Sequence, residues 1–140
     1  MMQSDYKVPK PTFSNIEYYW YRYPKLVKEI EMIRNHEIMR TQIDENIGGG
    51  KSGRISDPTG NAATRITTHK RIEHIEEVVH AIETVYNMAP DEYRLLIRTR
   101  FWNGKRLDWE SIADECGYST RHCQRIRKAI IVATAEILGW

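Results

Sequence analysis

The chain has 140 residues, of which 41% are hydrophobic, so it is long enough for one domain or for a small domain with an arm. Its net charge is only +2, but nine basic and four acidic residues from Arg94 to Lys128 give that segment +5 and leave −3 elsewhere. This uneven charge indicates a localised anion-binding surface. The sequence has no recognisable signal peptide or membrane-spanning run, and both cysteines occupy inward helix positions, so we expect a cytoplasmic protein with no membrane contact.

The N-terminal part of the chain is predicted to be an arm followed by helices. Residues 1–12 contain two prolines and predict a flexible arm, and residues 13–45 predict a helical region. Pro24 cannot donate a backbone hydrogen bond and disfavours a helical residue before it. We therefore expect a short helix over about 15–22 and a second helix over about 24–42.

Five aromatic side chains precede Pro24 in the run IEYYWYRYP. Such a cluster could stack on nucleic-acid bases, but it more often forms a core or a subunit contact, and we favour that interpretation. The five are Tyr18, Tyr19, Trp20, Tyr21 and Tyr23.

Residues 46–63 are predicted to form a flexible linker loop, because they include five glycines and show no apolar periodicity. The GGGKS run in this segment is reminiscent of a phosphate-binding loop. That motif requires a glycine where Glu45 stands, and it follows a strand rather than a helix. We therefore predict no nucleotide site and no cofactor here.

Residues 64–140 are predicted to form a long helix followed by a helix-turn-helix domain. Isoleucine and valine at three- and four-residue spacing indicate a helix over about 64–88, which could pack against the N-terminal helices or a partner subunit. Pro90, at a first helical position, opens a helix over about 90–102. The histidines and cysteines lack the spacing of metal ligands, so we expect no metal.

The stretch LDWESIADECGYSTRHCQRIRK, residues 107–128, predicts the helix-turn-helix itself. Asp108 and Ser119 are suited to cap its two helices. Gly117 can adopt the left-handed conformation of the turn without a Cβ clash. The expected inward residues are Ile112, Ala113, Cys116, Cys123, Ile126 and Ile130.

The second helix of the motif is predicted to continue to about Leu138. Its inward stripe would require Ile137 as well as Ile130, whereas Val132 would point outward. An outward valine indicates a further contact, either with the long helix or with another subunit.

The opposite face of this helix carries the residue types that read base edges in the major groove of DNA. This face comprises Arg121, Gln124, Arg125 and Lys128. Contacts with the DNA backbone are expected from His122 and from cations that precede the motif. These cations are Arg98, Arg100, Lys105 and Arg106.

The run MAPDEYRLLIRTRFWNGKRLDWESIADECGYSTRHCQRIRKAI resembles region four, the promoter-reading C-terminal domain of bacterial sigma factors. Most of the chain is similar to small phage transcriptional regulators of the RinA/ArpU type, through IEYYWYRYPKLVKEI and the linker segment SDPTGNAA. The resemblance implies a sigma-like DNA-binding C-terminus and activation of late or packaging genes in a bacterial host cell. It also implies that Ser119 and Thr120 join the base-reading positions.

The sequence therefore predicts an all-α, sequence-specific transcription regulator that binds double-stranded DNA as a homodimer. Two alternatives stay open. One is a sigma-like module that acts mainly by docking on RNA polymerase, and the other is a DNA-packaging protein akin to a small terminase subunit. An enzyme is not expected, because no carboxylate pair, Ser/His pair or metal set stands in a recognisable arrangement.

Overall fold

The computed structural model describes residues 6–46 and 58–140, and side chains within 6–36 and 62–140. Across these residues the protein is all-α, as predicted from the sequence. The helices are α1 Lys10–Asn46, α2 Pro58–Met88, α3 Asp91–Arg100, α4 Trp109–Cys116 and α5 Thr120–Leu138. None of these helices, within the described residues, is both long and apolar enough to cross a bilayer.

The chain divides into two compact units. Unit 1 joins the residues up to Pro24 with Val78–Trp140, and unit 2 is Lys25–Glu77. α1 and α2 each contribute to both units. This division differs from the expected one, which separates 13–45 from 64–140, because the aromatic start of α1 packs with the C-terminal helices.

Unit 2 pairs the later part of α1 with the first part of α2. Glu29 of α1 bonds Arg71 of α2 at 2.5 Å, and Arg34 forms an ion pair with Glu76. Among the side chains of this unit that the structure describes, the buried apolar ones are Leu26, Ile72 and Ile75. The apolar stripe predicted for the long helix thus faces inward at these positions.

The expected arm, residues 1–12, is in part helical. Pro9 precedes α1 and its carbonyl accepts a bond from the Phe13 N–H at 2.9 Å. Pro11 falls in the first turn, where a missing N–H removes no intrahelical bond. Tyr6 donates to the backbone carbonyl of Trp140. The residues from Tyr6 onward are therefore attached to unit 1, and residues 1–5 lie outside the described part of the chain.

The expected linker, residues 46–63, overlaps α2 at its end. Residues 47–57 lie outside the described part of the chain, whereas α2 begins at Pro58. Proline suits the first turn of a helix, so the Asp-Pro-Thr sequence that indicates a turn also starts the helix.

Pro24 does not break α1, and the prediction of two separate helices is wrong. A proline inside a helix removes the N–H that would bond the carbonyl four residues earlier, here the carbonyl of Trp20. The indole Nε1–H of Trp102 donates to that carbonyl instead, at 3.1 Å. A side chain from the α3–α4 turn thus supplies the donor that Pro24 lacks.

Trp20 lies at the centre of unit 1, with 0% of its surface exposed. Its indole N–H donates to the Thr134 hydroxyl of α5 at 3.1 Å, and that hydroxyl donates to the Ile130 carbonyl at 2.8 Å. The Trp20 ring centroid lies 5.8 Å from that of Phe101 and 6.0 Å from that of Trp102. Trp20, the central residue of the aromatic cluster, is therefore part of the core, which is the interpretation favoured from the sequence.

The last turns of α2 complete this core. The Tyr86 ring centroid lies 4.9 Å from that of Trp102, and the Tyr23 ring stacks on the Trp102 ring at 5.0 Å. The Tyr23 hydroxyl donates to Glu83 at 2.8 Å. Burial of the phenol and this bond to a carboxylate together raise the pKa of Tyr23 to about 12. Tyr23 is therefore a neutral hydrogen-bond donor at physiological pH.

The C-terminal half of α5 buries a different face from the one predicted. Val132 is 7% exposed rather than outward, and Ile137 is 46% exposed rather than inward. α5 packs on α3 and α4, and Thr134 in its second half also meets Trp20 of α1. The further contact that Val132 indicated is therefore present within one chain.

Replacing Trp102 by Phe should lower the free energy of unfolding by about 1–3 kcal/mol, because the Trp20 carbonyl loses its donor. In a Pro24→Ala background the new backbone N–H can bond the same carbonyl. The same Trp102→Phe change should then cost less. Urea denaturation of the four proteins measures this coupling.

The double variant keeps every packing change of the two single variants, so it serves as the control for lost ring contacts. Additive effects of the two substitutions would show that Trp102 does not compensate for Pro24.

Candidate nucleic-acid interface

The helix-turn-helix has the turn geometry predicted for it. The Asp108 carboxylate caps α4 by accepting from the Ser111 N–H at 2.8 Å, and this bond holds the pKa of Asp108 below its usual value. Gly117 ends α4 at φ 74°, a left-handed conformation. The Ser119 hydroxyl caps α5 by accepting from the His122 N–H at 3.1 Å. These three assignments are confirmed.

The inward faces of α4 and α5 are also confirmed. The predicted inward side chains Ile112, Ala113, Cys116, Cys123, Ile126 and Ile130 are all buried. Both cysteines are free thiols, and burial raises the pKa of Cys116 and of Cys123. Neutral buried thiols act here as small apolar side chains in the contact between the two helices.

Four polar side chains project from the first half of α5 and form what we term the reading strip. All four are exposed, and no ion pair within the described side chains involves any of them. The first turn of α5 contains no acidic residue, so its N-terminal end keeps a positive potential. The reading strip consists of Arg121, Gln124, Arg125 and Lys128.

Ser119 and Thr120, the two further base-reading candidates, lie at the N-terminal end of the reading strip. Ser119 is exposed, although its hydroxyl oxygen already accepts the capping bond from His122. Thr120 is the first residue of α5 and is half-buried.

Four of the five backbone-contact candidates are accessible. Lys105 and Arg106 are exposed in the turn before α4, where the Arg106 guanidinium lies 4.9 Å from the Tyr21 ring centroid. Arg98 is exposed and donates to the Tyr86 hydroxyl at 2.9 Å. His122 is half-buried, and its ring lies 4.8 Å from that of Tyr118.

Arg100, the fifth candidate, does not fit a backbone contact. Only 12% of its side chain is exposed, and its guanidinium lies 4.1 Å from the Trp109 ring centroid. Its Nη2 also bonds the Glu17 carboxylate at 3.3 Å. We therefore remove Arg100 from the set of residues expected to contact phosphates.

Glu17 and Arg127 form a contact that sequence reasoning missed. Arg127 of α5 donates to both carboxylate oxygens of Glu17, with 2.7 Å between Nη2 and Oε1. The Arg127 guanidinium lies 4.9 Å from the Phe13 ring and 5.8 Å from the Trp109 ring. One sequence signal was available, because Glu17 is the only acidic residue between Asp5 and Glu29.

The Glu17 carboxylate is charged at neutral pH although only 14% of the Glu17 side chain is exposed. Burial alone would raise its pKa. The hydrogen bonds and positive charges of Arg127, followed by those of Arg100, outweigh burial and hold the pKa of Glu17 below its ordinary value of 4.5. We call Glu17, Arg100 and Arg127 the Glu17–arginine cluster.

Replacing Gly117 by Ala should destabilise the fold by about 1–2 kcal/mol, because an L-residue is strained in the left-handed conformation. A Cβ there meets nothing within 4 Å, so the cost comes from the backbone and not from a clash. Gly117→Asn is the matched control and should cost less, because asparagine tolerates this conformation. Thermal melts compare the three proteins, and equal melting of the Ala and Asn variants would contradict the assignment.

Glu17→Gln should lower stability at neutral pH by about 1.5–3 kcal/mol, the range for hydrogen bonds to charged groups. Since the pKa of Glu17 in the folded protein lies below 4.5, the unfolded chain binds more protons than the folded chain as the pH falls through 4.5. The stabilising contribution of Glu17 is therefore complete above that pH and is lost below it.

Urea denaturation of the parent and of Glu17→Gln over a pH series measures this difference. It should shrink as the solution is acidified. A difference that is independent of pH would show that the charge of Glu17 does not stabilise the fold.

Comparison with known proteins identifies a family. No curated protein and no solved structure matches this chain. A family model described as protein of unknown function (DUF722) matches residues 17–136. The match begins at Glu17 of the Glu17–arginine cluster and ends within α5, so it spans the reading strip. Because it covers well over half of the sequence, the chain belongs to the DUF722 family.

Proposed function

We propose that the protein is a sequence-specific, DNA-binding transcription regulator that reads base edges with α5. The observation that carries the proposal is the exposed reading strip on a capped helix whose opposite face is buried. Arginine can bond guanine and glutamine can bond adenine with two hydrogen bonds each. The strip lies at the start of the second helix of the motif, the part that enters the major groove in helix-turn-helix proteins.

Contacts with the DNA backbone would come from the cations around this helix. Arg98, Lys105, Arg106 and His122 are the proposed contributors. Such contacts fix the position of a protein on the duplex without reading its sequence. They also make binding sensitive to salt, because each neutralised phosphate releases counterions.

The resemblance to RinA/ArpU-type regulators supports a more specific biological proposal. The protein would be encoded by a phage or prophage, act in the cytoplasm of the bacterial host, and activate late or packaging genes. A homodimer would suit a site with two half-sites related by symmetry. Apolar side chains are available for a subunit contact in unit 2, where Met32 is 71% exposed and Ile66 is 59% exposed.

Docking on RNA polymerase is the second candidate function. It is favoured by α4, which exposes three carboxylates beside the basic α5. These carboxylates would repel the DNA backbone, but they suit a basic protein surface. They belong to Glu110, Asp114 and Glu115.

Selection of bound duplexes from a random-sequence pool, followed by footprinting on the selected site, tests the proposal. Enrichment of one sequence by the protein alone is the expected result, with two protected half-sites if the protein is a dimer. Enrichment only when RNA polymerase is present would favour the docking function, and no enrichment in either case would reject both.

Arg125→Ala should weaken binding to the selected site by about 1–3 kcal/mol and relax the preference at one base pair. Lys105→Ala is the matched comparison, since Lys105 precedes the motif. It should weaken all sequences alike and reduce the slope of log affinity against log salt by about one. Binding to single-base variants of the site at several salt concentrations measures both effects. If Arg125→Ala weakens every variant equally, the strip contacts DNA without reading bases.

A further inference from the structure

The guanidinium of Arg127 already has a carboxylate partner inside the protein. Arg127 lies between the reading-strip residues Arg125 and Lys128 in the sequence, yet its Nε and Nη2 both donate to the Glu17 carboxylate. The planar guanidinium matches a carboxylate through two parallel bonds, as it would match a phosphate. With 28% of its side chain exposed, Arg127 is close enough to the surface to meet a phosphate if Glu17 did not hold it.

The same pair sets the direction in which α5 presents its side chains. Glu17 and Arg127 are 110 residues apart in the sequence and join α1 to α5. Residues two apart on a helix point about 200° apart, so holding Arg127 toward α1 turns Arg125 away from it. The rings of Phe13 and Trp109 lie near the Arg127 guanidinium and limit the other rotamers that this side chain can adopt.

We infer that Glu17 is a specificity-determining positioning residue, an inference that rests on the proposed DNA binding. Glu17 withdraws Arg127 from the DNA backbone and keeps the reading strip as the part of α5 that meets DNA. An unpaired arginine beside the strip would add one phosphate contact, which strengthens binding to every sequence equally. By forming an ion pair with that arginine, Glu17 lowers non-specific binding and does not affect base reading.

The test compares the salt dependence of binding to a random-sequence duplex and to the selected duplex for the full chain and its variants. Glu17→Gln should bind the random duplex more tightly at low salt, with a slope steeper by about one, and should discriminate less between the two duplexes. The double variant with Arg127→Gln should return to the slope of the parent. A merely structural loss would instead weaken binding to both duplexes.

A pair of single variants gives a second measurement, which does not depend on the folding of Glu17→Gln. Lys105→Gln should reduce the salt slope by about one, whereas Arg127→Gln should leave it unchanged. An equal reduction by both variants, or an unchanged slope in a folded Glu17→Gln protein, would overturn the inference while leaving DNA binding intact. A parent that binds neither duplex would instead reject the proposed function itself.

Discussion

Unit 1 depends on Trp20, which contributes both its side chain and its backbone carbonyl to the core. The indole N–H reaches Thr134 of α5, and the carbonyl accepts the indole N–H of Trp102 in the α3–α4 turn. Trp20 therefore connects the first turns of α1 to the C-terminal helices at two points. Since both polar atoms are bonded, the largest side chain of the core is buried without an unsatisfied group.

The arginines of the basic segment are used in two different ways. Arg121 and Arg125 are exposed on the reading strip, whereas Arg100 and Arg127 surround the Glu17 carboxylate among aromatic rings. A count of charges along the sequence treats all four arginines as equally accessible. The structure assigns two of them to the connection between helices, so the accessible positive charge is smaller and more localised than the count implies.

Sequence reasoning succeeded where a feature depends on neighbouring residues. The Asp108 and Ser119 caps, the left-handed Gly117 and the inward faces follow from spacing and local conformation. It failed at Pro24 and missed the Glu17–arginine cluster, because the partners of these residues come from distant parts of the chain. Trp102 is 82 residues from the Trp20 carbonyl, and Glu17 is 83 residues from Arg100. Contacts between residues so far apart cannot be inferred from the pattern of a single sequence.

The discontinuity of unit 1 affects the order in which the protein can fold. α3, α4 and α5 are neighbours in the chain, so their mutual contacts close short loops and can form quickly. The contact between Trp20 and Thr134 joins residues that are 114 positions apart, and the residues of unit 2 lie between them in the sequence. It therefore closes a long loop and forms later. During synthesis the start of α1 therefore leaves the ribosome with its main partner still unmade. Until Thr134 has been made, the tryptophan and tyrosines of that nascent segment lack this partner, and exposed apolar surface of this kind favours aggregation.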